Sequence, residues 1–474
     1  MADVVHSKKA CTVNPLKMSQ PIGAALAFLG INRCMPVLHG SQGCTSFGLV
    51  LFVRHFREAI PLQTTAMNEV TTILGGMENL EQAILNINQR AKPAIIGIAS
   101  TGLTETKGDD VEGFLTLIRQ KHPELDDVPI VYVSTPDFAD TFQDGWAKAV
   151  TRIVEELVPD EKSPLPSPFG KGGLGGISQR EEQEGTSRVN VLPGSHLTPG
   201  DIEEIREIIE SFGLHPIILP DLSGSLDGHI PDNWEGTTIG GTTVEAIRSM
   251  GQARVTLAIG EQMRRAAMTL ETKTGVPAIV FDRLTGLEAN DRFLACLSEV
   301  SGQPVPVKYR RQRSQLLDAM LDGHFYFGGK KIAIGAEPDL LWSIGMWLTE
   351  MGAEIAAAVT TTHHSPLLEK LPMETVLVGD LEDLERRAEG CDLLITHSHG
   401  RQAAARLDIP FVRMGIPMFD RLGAAHRLSV GYRGTRDLIF EIGNLFIAHQ
   451  HENTPDTWTL PEGGHAAAAA FETH

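Results

Sequence analysis

Cysteine is scarce in this chain of 474 residues: there are five, an odd number, and no two have CxxC spacing. That scarcity excludes a disulfide framework and a self-contained zinc ribbon. It indicates a protein of a reducing compartment. The five are Cys11, Cys34, Cys44, Cys296 and Cys391.

Long apolar runs and excess positive charge are also missing. The longest apolar segments, such as "PIGAALAFLG", are about half as long as the roughly 20 residues of a membrane-spanning helix. The N-terminal segment lacks the apolar core and small-residue cleavage site of a secretory signal. A net charge of −19 argues against nucleic acid and anionic membranes as partners. We therefore expect a cytoplasmic protein that binds soluble proteins or small ligands.

Nucleotide-binding fingerprints are absent. The loops "GAEPDL" and "LPGSHLTPGD" contain neither GxGxxG nor GxxxxGK[ST]. No catalytic triad or carboxylate pair stands out, because such constellations are assembled in space and not along the chain. Hydrolase chemistry is neither indicated nor excluded.

What the chain does contain is a repeated unit: a β-branched run, a loop with Gly, Ser or Pro, and a segment of helical period. Alternation of strands and helices predicts an α/β fold of parallel sheets flanked by helices. Thr198, Pro199 and Asp201 form one clear helix start, and Gly213 and Gly352 fit the ends of helices. The length requires two or three domains.

Composition sets the predicted boundaries. The segment "EKSPLPSPFGKGGLGGISQREEQEGTS" is rich in Pro, Gly and charge, which is typical of a flexible linker. A softer boundary lies near residues 309–331, and the polar C-terminal segment is predicted to be disordered. The predicted organisation is a first α/β domain over 1–160, a linker over 161–187, a second α/β domain over 188–325, a third over 326–448, and a polar tail over 449–474.

The turn "HGSQGC" joins a predicted strand to a predicted helix and ends in Cys44. Gly40 and Gly43 permit close approach of a ligand, and a helix start favours a thiolate. A metal or redox role is plausible on this pattern, but a small buried cysteine is the commoner outcome. The pattern alone leaves both interpretations open.

Other candidates are weaker. His397 and His399 in "THSHG" alternate after a strand and could share a metal, although polar loop residues are the commoner case. The remaining four cysteines have no neighbouring ligand pair and are interpreted as packing residues.

Several long motifs together resemble the β-type chains of the nitrogenase component 1 family. They are "NPLKMSQPIGAALAFLGI", "PVLHGSQGC", "RHFREAIPLQTTAMNE", "ILGGMENLEQAI", "TETKGDD" and "GIPMFDRLGAAHRLSVGYRGTRDLIFEIGN". Within the family they are most similar to the N-type subunits of the scaffold that assembles the iron–molybdenum cofactor. The resemblance runs from about Asn14 to Asn444, and it implies three Rossmann-like domains.

The differences from the catalytic β subunit are informative. That subunit has cysteines at three positions that here read Ser19, Cys44 and Gly102/Leu103. The resemblance therefore implies one cluster ligand in this chain, Cys44, whereas a 4Fe–4S cluster needs four thiolates.

The remaining thiolates are implied to come from an E-type scaffold subunit, which shares the cluster in a heterotetramer of two such pairs. The resemblance further implies that the cofactor precursor lies mainly in the E-type subunit. Molybdenum and homocitrate are inserted there with help from a transient, ATP-dependent iron protein.

Two other functions remain as alternatives. One is an oxidoreductase subunit of the nitrogenase β or protochlorophyllide reductase type. The other is a metal-receptor or chelatase-like binding protein. On the favoured interpretation the chain is an assembly subunit and not a stand-alone enzyme.

Overall fold

The computed structural model describes residues 1–160 and 187–452. The predicted linker, apart from Ser187, and the predicted tail beyond Glu452 lie outside the described residues. Within the described ranges, no helix combines the length and apolar character that a membrane crossing requires.

Three parallel sheets, each flanked by helices, form the described part of the chain, and the predicted α/β fold is confirmed. The first sheet has the strand order β3-β2-β4-β5. Its strands are β2 (Cys34–His39), β3 (Gln63–Thr64), β4 (Ile95–Ser100) and β5 (Ile130–Val133). Its helices are α1 (Gln20–Leu29), α2 (Gln42–Phe56), α3 (Glu69–Leu74), α4 (Met77–Ala91), α5 (Gly102–Lys107), α6 (Val111–Lys121) and α7 (Phe142–Leu157).

The second sheet has the order β7-β6-β8-β9. Its strands are β6 (Arg188–Pro193), β7 (His215–Ile218), β8 (Thr256–Ile259) and β9 (Ala278–Phe281). Its helices are α8 (Pro199–Glu210), α9 (Val244–Arg248), α10 (Arg264–Thr274) and α11 (Leu287–Ser301). Thr198 and Asp201 cap α8 reciprocally, and Gly213 adopts the left-handed φ of +72° that suits a position just beyond a helix.

The third sheet is the largest, with the order β1-β12-β11-β10-β13-β14. Its strands are β1 (Asp3–His6), β10 (Lys331–Ala336), β11 (Glu354–Thr360), β12 (Thr375–Val378), β13 (Leu393–Thr396) and β14 (Phe411–Arg413). Its helices are α12 (Val307–Phe327), α13 (Pro338–Glu350), α14 (Leu381–Arg387), α15 (Arg401–Leu407) and α16 (Gly431–Glu452).

Strand β1 corrects the predicted organisation, which placed residues 1–160 in one domain. β1 pairs in parallel with β12, from Asp3 opposite Thr375 to His6 opposite Val378. A four-residue strand has little local signal, and its partner is decided by which sheet edge offers unpaired backbone groups. The predicted boundary between 325 and 326 falls inside α12, and α16 continues into the predicted tail as far as Glu452. The remaining domain boundaries stay predictions.

One apolar core runs beneath all three sheets and includes Phe28, Trp146, Leu257 and Trp347. In the first sheet's layer, α1 is buried along its whole length against α7. A Cβ on Gly145 would lie 1.9 Å from the carbonyl oxygen of Gln20. The absence of that side chain lets the two helix backbones touch.

Candidate functional site

Cys44 lies in the first turn of α2, immediately after strand β2. The Ser41 hydroxyl is 3.6 Å from Cys44 Sγ and makes no capping hydrogen bond to the helix amides. The thiol is partly exposed, and a Cβ on Gly43 would meet nothing closer than 3.9 Å. A thiol at a helix start with open space beside it is accessible to a ligand.

The backbone leading into this turn is held by threonine hydroxyls. Thr101 and Thr104 both donate to the carbonyl oxygen of His39, at 3.0 and 3.1 Å. The Gly40 N–H donates to Thr65 Oγ1 at 3.1 Å. A Cβ on Gly40 would lie 2.3 Å from Thr101 Oγ1, so only glycine fits there. The turn is therefore fixed in place while its tip stays open.

Ser19 and Gly102 stand where the resembling catalytic subunit has cysteine ligands. Both positions lie at the same edge of the first sheet. Ser19 precedes α1, which packs beside β2. Gly102 begins α5 directly after β4, the neighbour of β2, and its N–H donates to Asp137 Oδ2 at 3.0 Å. Gln20, next to Ser19, donates its side-chain N–H to the Pro136 carbonyl oxygen at 3.1 Å, in the loop after β5, so both positions lie beyond the carboxyl ends of the parallel strands. Neither position offers a thiolate.

A shallow apolar groove of about 290 Å³ lies beside the same helix. Phe47 and Val50, one and two turns after Cys44, are 61% and 56% exposed. The Arg54 guanidinium lies 4.3 Å above the Phe419 ring at the side of the groove. Exposed apolar side chains gathered in one patch are typical of a protein contact surface.

The histidine pair after β13 does not form a shared metal site. His397 is buried; its Nδ1 accepts the His399 N–H at 3.4 Å, and its Nε2 lies 3.2 Å from the Leu16 carbonyl oxygen. Burial lowers the pKa of His397 to about 4, so the ring is neutral with both nitrogens engaged. His399 is exposed and packs edge-on against Phe419, 5.0 Å between ring centres. The commoner interpretation, loop residues, fits these contacts.

The other cysteines divide by burial. Cys34 and Cys391 are buried as predicted for packing residues, and burial raises the pKa of the Cys34 thiol. Cys296 is partly buried. Cys11 is exposed, so the packing interpretation is wrong for it: it lies in a polar N-terminal segment with no apolar layer over it.

Sequence reasoning missed a polar cluster beneath the Cys44 turn. His39 is fully buried and its Nδ1 lies 3.0 Å from Thr65 Oγ1, whereas its Nε2 has no hydrogen-bond partner in the described part of the chain. Burial lowers the pKa of His39 to about 4. A Cβ on Gly76 would lie 3.2 Å from that Nε2 and 3.0 Å from Asp109 Oδ2, and Asp109 pairs with Lys107 at 3.0 Å.

The motif "TETKGDD" is the signal that could have located this cluster. It supplies Thr104, Lys107 and Asp109, and Asp110 caps α6 by accepting the Gly113 N–H at 3.0 Å. The motif has seven consecutive residues without an aliphatic side chain, and it begins four residues after the buried strand β4. Such a run indicates side chains that form hydrogen bonds.

Comparison with known proteins bears on what this site serves. The sequence profile described as nitrogenase component 1 type oxidoreductase matches residues 19–447. The chain is 62% identical to the nitrogenase iron-molybdenum cofactor biosynthesis protein NifN of Bradyrhizobium diazoefficiens, over 98% of this chain and 96% of that protein. It is 53% identical to NifN of Nostoc sp. PCC 7120, over 94% and 96%.

Among solved structures, one titled nitrogenase Cp1 at pH 6.5 superimposes with a TM-score of 0.85 at 31% identity. That alignment covers 96% of this chain and 98% of the other. A second chain, from a structure titled nitrogenase Cp1 at pH 5, gives a TM-score of 0.66 at 15% identity, which shows likeness of fold only.

Proposed function

This chain belongs to the nitrogenase component 1 type oxidoreductase family, and we propose that it is the N-type subunit of the scaffold on which the iron–molybdenum cofactor is matured before transfer to nitrogenase. The observation that carries the proposal is the near full-length identity of 62% to a protein named for biosynthesis of that cofactor. On this proposal the chain is an assembly subunit and not a stand-alone enzyme.

The proposed cluster is a 4Fe–4S cluster shared with an E-type partner. Such a cluster needs four thiolates, and Cys44 is the thiol that follows a strand of the first sheet at an open helix start. Cys34 begins strand β2 at the opposite edge and is buried. The three missing thiolates would therefore come from the partner.

The residues around Cys44 fit one corner of a cluster. The helix amides that Ser41 leaves uncapped would donate to cluster sulfides and to the Cys44 thiolate. Gly43 leaves room for an iron–sulfur core beside the turn. A bound cluster would supply one-electron redox chemistry, and this chain's contribution is to hold one iron and to exclude water on its side.

The proposed assembly is a heterotetramer of two N-type and two E-type chains. The exposed Phe47 and Val50 beside Cys44 support a contact there, because a partner that supplies thiolates must cover the same surface. A transient, ATP-dependent iron protein and the donors and acceptors of the cofactor would be further partners. The precursor would lie mainly in the E-type subunit, with molybdenum and homocitrate inserted there.

Iron and acid-labile sulfide analysis tests the proposal. The chain expressed alone should hold little cluster, whereas the chain co-purified with the E-type subunit should hold four irons per pair beyond those of the precursor. A stoichiometric four-iron cluster in the lone monomer would contradict it. Acetylene reduction at nitrogenase-like rates by the purified complex would instead favour a catalytic β subunit.

A further inference from the structure

A small internal cavity of about 30 Å³ lies where the second and third sheets meet, under the start of α7. That volume holds one or two water-sized groups. Polar residues enter it from the carboxyl ends of three strands: His196 after β6, Glu337 after β10 and His397 after β13. In parallel sheets, ligands bind beyond such strand ends.

Glu337 shares a threonine hydroxyl with a second carboxylate. Thr141 Oγ1 lies 2.8 Å from Glu337 Oε2 and 2.9 Å from Asp144 Oδ2. Thr361 Oγ1 also donates to Glu337 Oε2, at 2.8 Å. A hydroxyl has one proton and donates to one carboxylate oxygen, so both contacts can be hydrogen bonds only when one of the two carboxyl groups carries a proton.

The surroundings of the two acids decide which one is protonated. Asp144 also accepts the Thr141 N–H at 2.9 Å, lies in the first turn of α7, and lines a cleft of about 700 Å³ open to solvent. These features place the Asp144 carboxyl group at the positive end of a helix and in contact with solvent. Burial, with a smaller contribution from the charge of Asp144, raises the pKa of Glu337 to about 7. Below about pH 7, a proton held at this bridge therefore lies on Glu337.

The charged and titratable groups that face Glu337 come from several elements. Lys17, before α1, favours the ionised form of Glu337, and Asp144 disfavours it. His397, from the loop after β13, is neutral because burial lowers its pKa to about 4. Asp339, two residues further along, is fully buried, and burial raises its pKa to about 7. The cluster is thus poised to gain or lose protons near neutrality.

His196 is a further polar residue that lines the cavity. Among the described residues, neither of its ring nitrogens has a hydrogen-bond partner, and burial lowers its pKa to about 4. Asp339 Oδ2 accepts the Gln262 N–H at 3.0 Å, while Asp339 Oδ1 has no partner within residues 1–160 and 187–452. A Cβ on Gly260, which has φ of +100°, would lie 3.0 Å from His196 Cε1 and 2.6 Å from Asp339 Oδ2. Glycine there allows the ring and the carboxyl group to approach each other.

We propose that Asp144, Thr141 and Glu337 form a proton-exchange path from the cleft to the cavity, in which Glu337 holds the proton that a water-sized ligand beside His196 gains or loses. To reprotonate an ionised Glu337, a proton that Asp144 has taken from solvent moves from Asp144 Oδ2 to Thr141 Oγ1. At the same time the hydroxyl's own proton moves from Thr141 Oγ1 to Glu337 Oε2. Discharge to the cleft runs in reverse, and Asp144 exchanges with solvent. No bond other than O–H is formed or broken.

Infrared spectroscopy of the full-length chain tests this path. The C=O band of protonated Glu337 is identified at pH 6 as the band that Glu337→Gln removes, and its shift after transfer to D2O reports proton exchange. Thr141→Val should slow that shift about tenfold or more, because it breaks the link to Asp144. Thr361→Val is the matched control: it removes a donor to the same oxygen and should leave the exchange rate within about twofold.

Thr141 is also the N-cap of α7, so Thr141→Val is paired with two further variants. Thr141→Ser keeps the hydroxyl and should exchange at the parent rate. Asp144→Asn keeps an acceptor for Thr141 but takes up no proton, and it should slow exchange even if Thr141→Val fails to fold. Absence of the band at pH 6, or exchange in Asp144→Asn as fast as in the parent, would overturn the proposal.

Discussion

The turn at Cys44 follows strand β2, and the loop at Glu337, where the second and third sheets meet, follows strand β10. Both lie at the carboxyl ends of parallel strands, yet they differ in how much of their surface the chain itself covers. We call the second region the junction. At the turn, the thiol is partly exposed and Gly43 faces open space. At the junction, Glu337 is bonded to Thr141 and Thr361, and only a cavity of about 30 Å³ remains. The first region has room for another chain and a cluster, whereas the second is filled by groups of this chain.

The comparison shows that the role of a loop after a strand depends on what covers that loop. Where helices of the same chain cover the loop, polar groups must be satisfied internally, and acids become protonated. Where nothing in the described chain covers it, apolar side chains such as Phe47 and Val50 stay exposed, and a partner is the expected cover.

The largest expected effect is at the turn. Cys44→Ala, made in the complex with the E-type subunit, should remove most of the shared cluster's iron while the subunits stay folded and associated. The reason is that a thiolate bond is lost at a site where truncation of a partly exposed side chain costs the fold little. Iron analysis and the magnetic signal of the reduced cluster are the measurements.

Ser19→Ala is the control for Cys44→Ala. It removes a hydroxyl at the position where the resembling catalytic subunit has a ligand, and it should leave iron unchanged. Equal iron in Cys44→Ala and the parent, with assembly intact, would make Cys44 a packing cysteine.

A second pair of substitutions compares a glycine in a tight helix–helix contact with a glycine that faces open space beside Cys44. Gly145→Ala places a Cβ 1.9 Å from the Gln20 carbonyl oxygen and should lower the free energy of unfolding by about 2–4 kcal/mol. Gly43→Ala meets open space within a helix and should change it by less than about 1 kcal/mol. Urea unfolding midpoints measure both, and equal midpoints would refute the difference.

The pH dependence of stability probes the junction. The pKa of Glu337 is about 7 in the folded chain, above the ordinary 4.5, so the folded state binds more protons between those values. Stability from this group is therefore lost as pH rises from about 4.5 to 7 and is level above. Glu337→Gln resembles the protonated acid, and it should match the parent at pH 4.5 and exceed it by about 1–3 kcal/mol at pH 8.

Glu203→Gln is the matched control for Glu337→Gln, since Glu203 is exposed on α8. Its unfolding midpoint should follow the parent at both pH values. If Glu337→Gln also follows the parent at pH 8, folding does not raise the pKa of the Glu337 carboxyl group.

The smallest expected effect concerns residues 161–187. Their composition is typical of a flexible linker, and loop-closure entropy changes slowly with length. Replacement by a short Gly/Ser segment should change the free energy of unfolding by less than about 1 kcal/mol. Loss of soluble protein after this replacement would show that the segment packs against the folded chain.

The sequence alone determined the features that depend on local chemistry. Alternating strands and helices predicted the α/β fold, Thr198 and Asp201 marked a helix start that the structure confirms, and the position of Cys44 after a strand predicted a thiol at a helix start. These follow from periodicity, capping and turn residues, which act over a few residues. The long motifs predict the family without any knowledge of the fold.

The tertiary structure decided the features that join distant parts of the chain. β1 pairs with a strand about 370 residues away, Thr141 meets Glu337 across 196 residues, and His397 bonds to Leu16 across 381. Whether a histidine is free or engaged, and whether an acid is charged, depends on which segments happen to cover it. Such pairings leave no local pattern, because their energy comes from burial and hydrogen bonds formed only when the three sheets pack together.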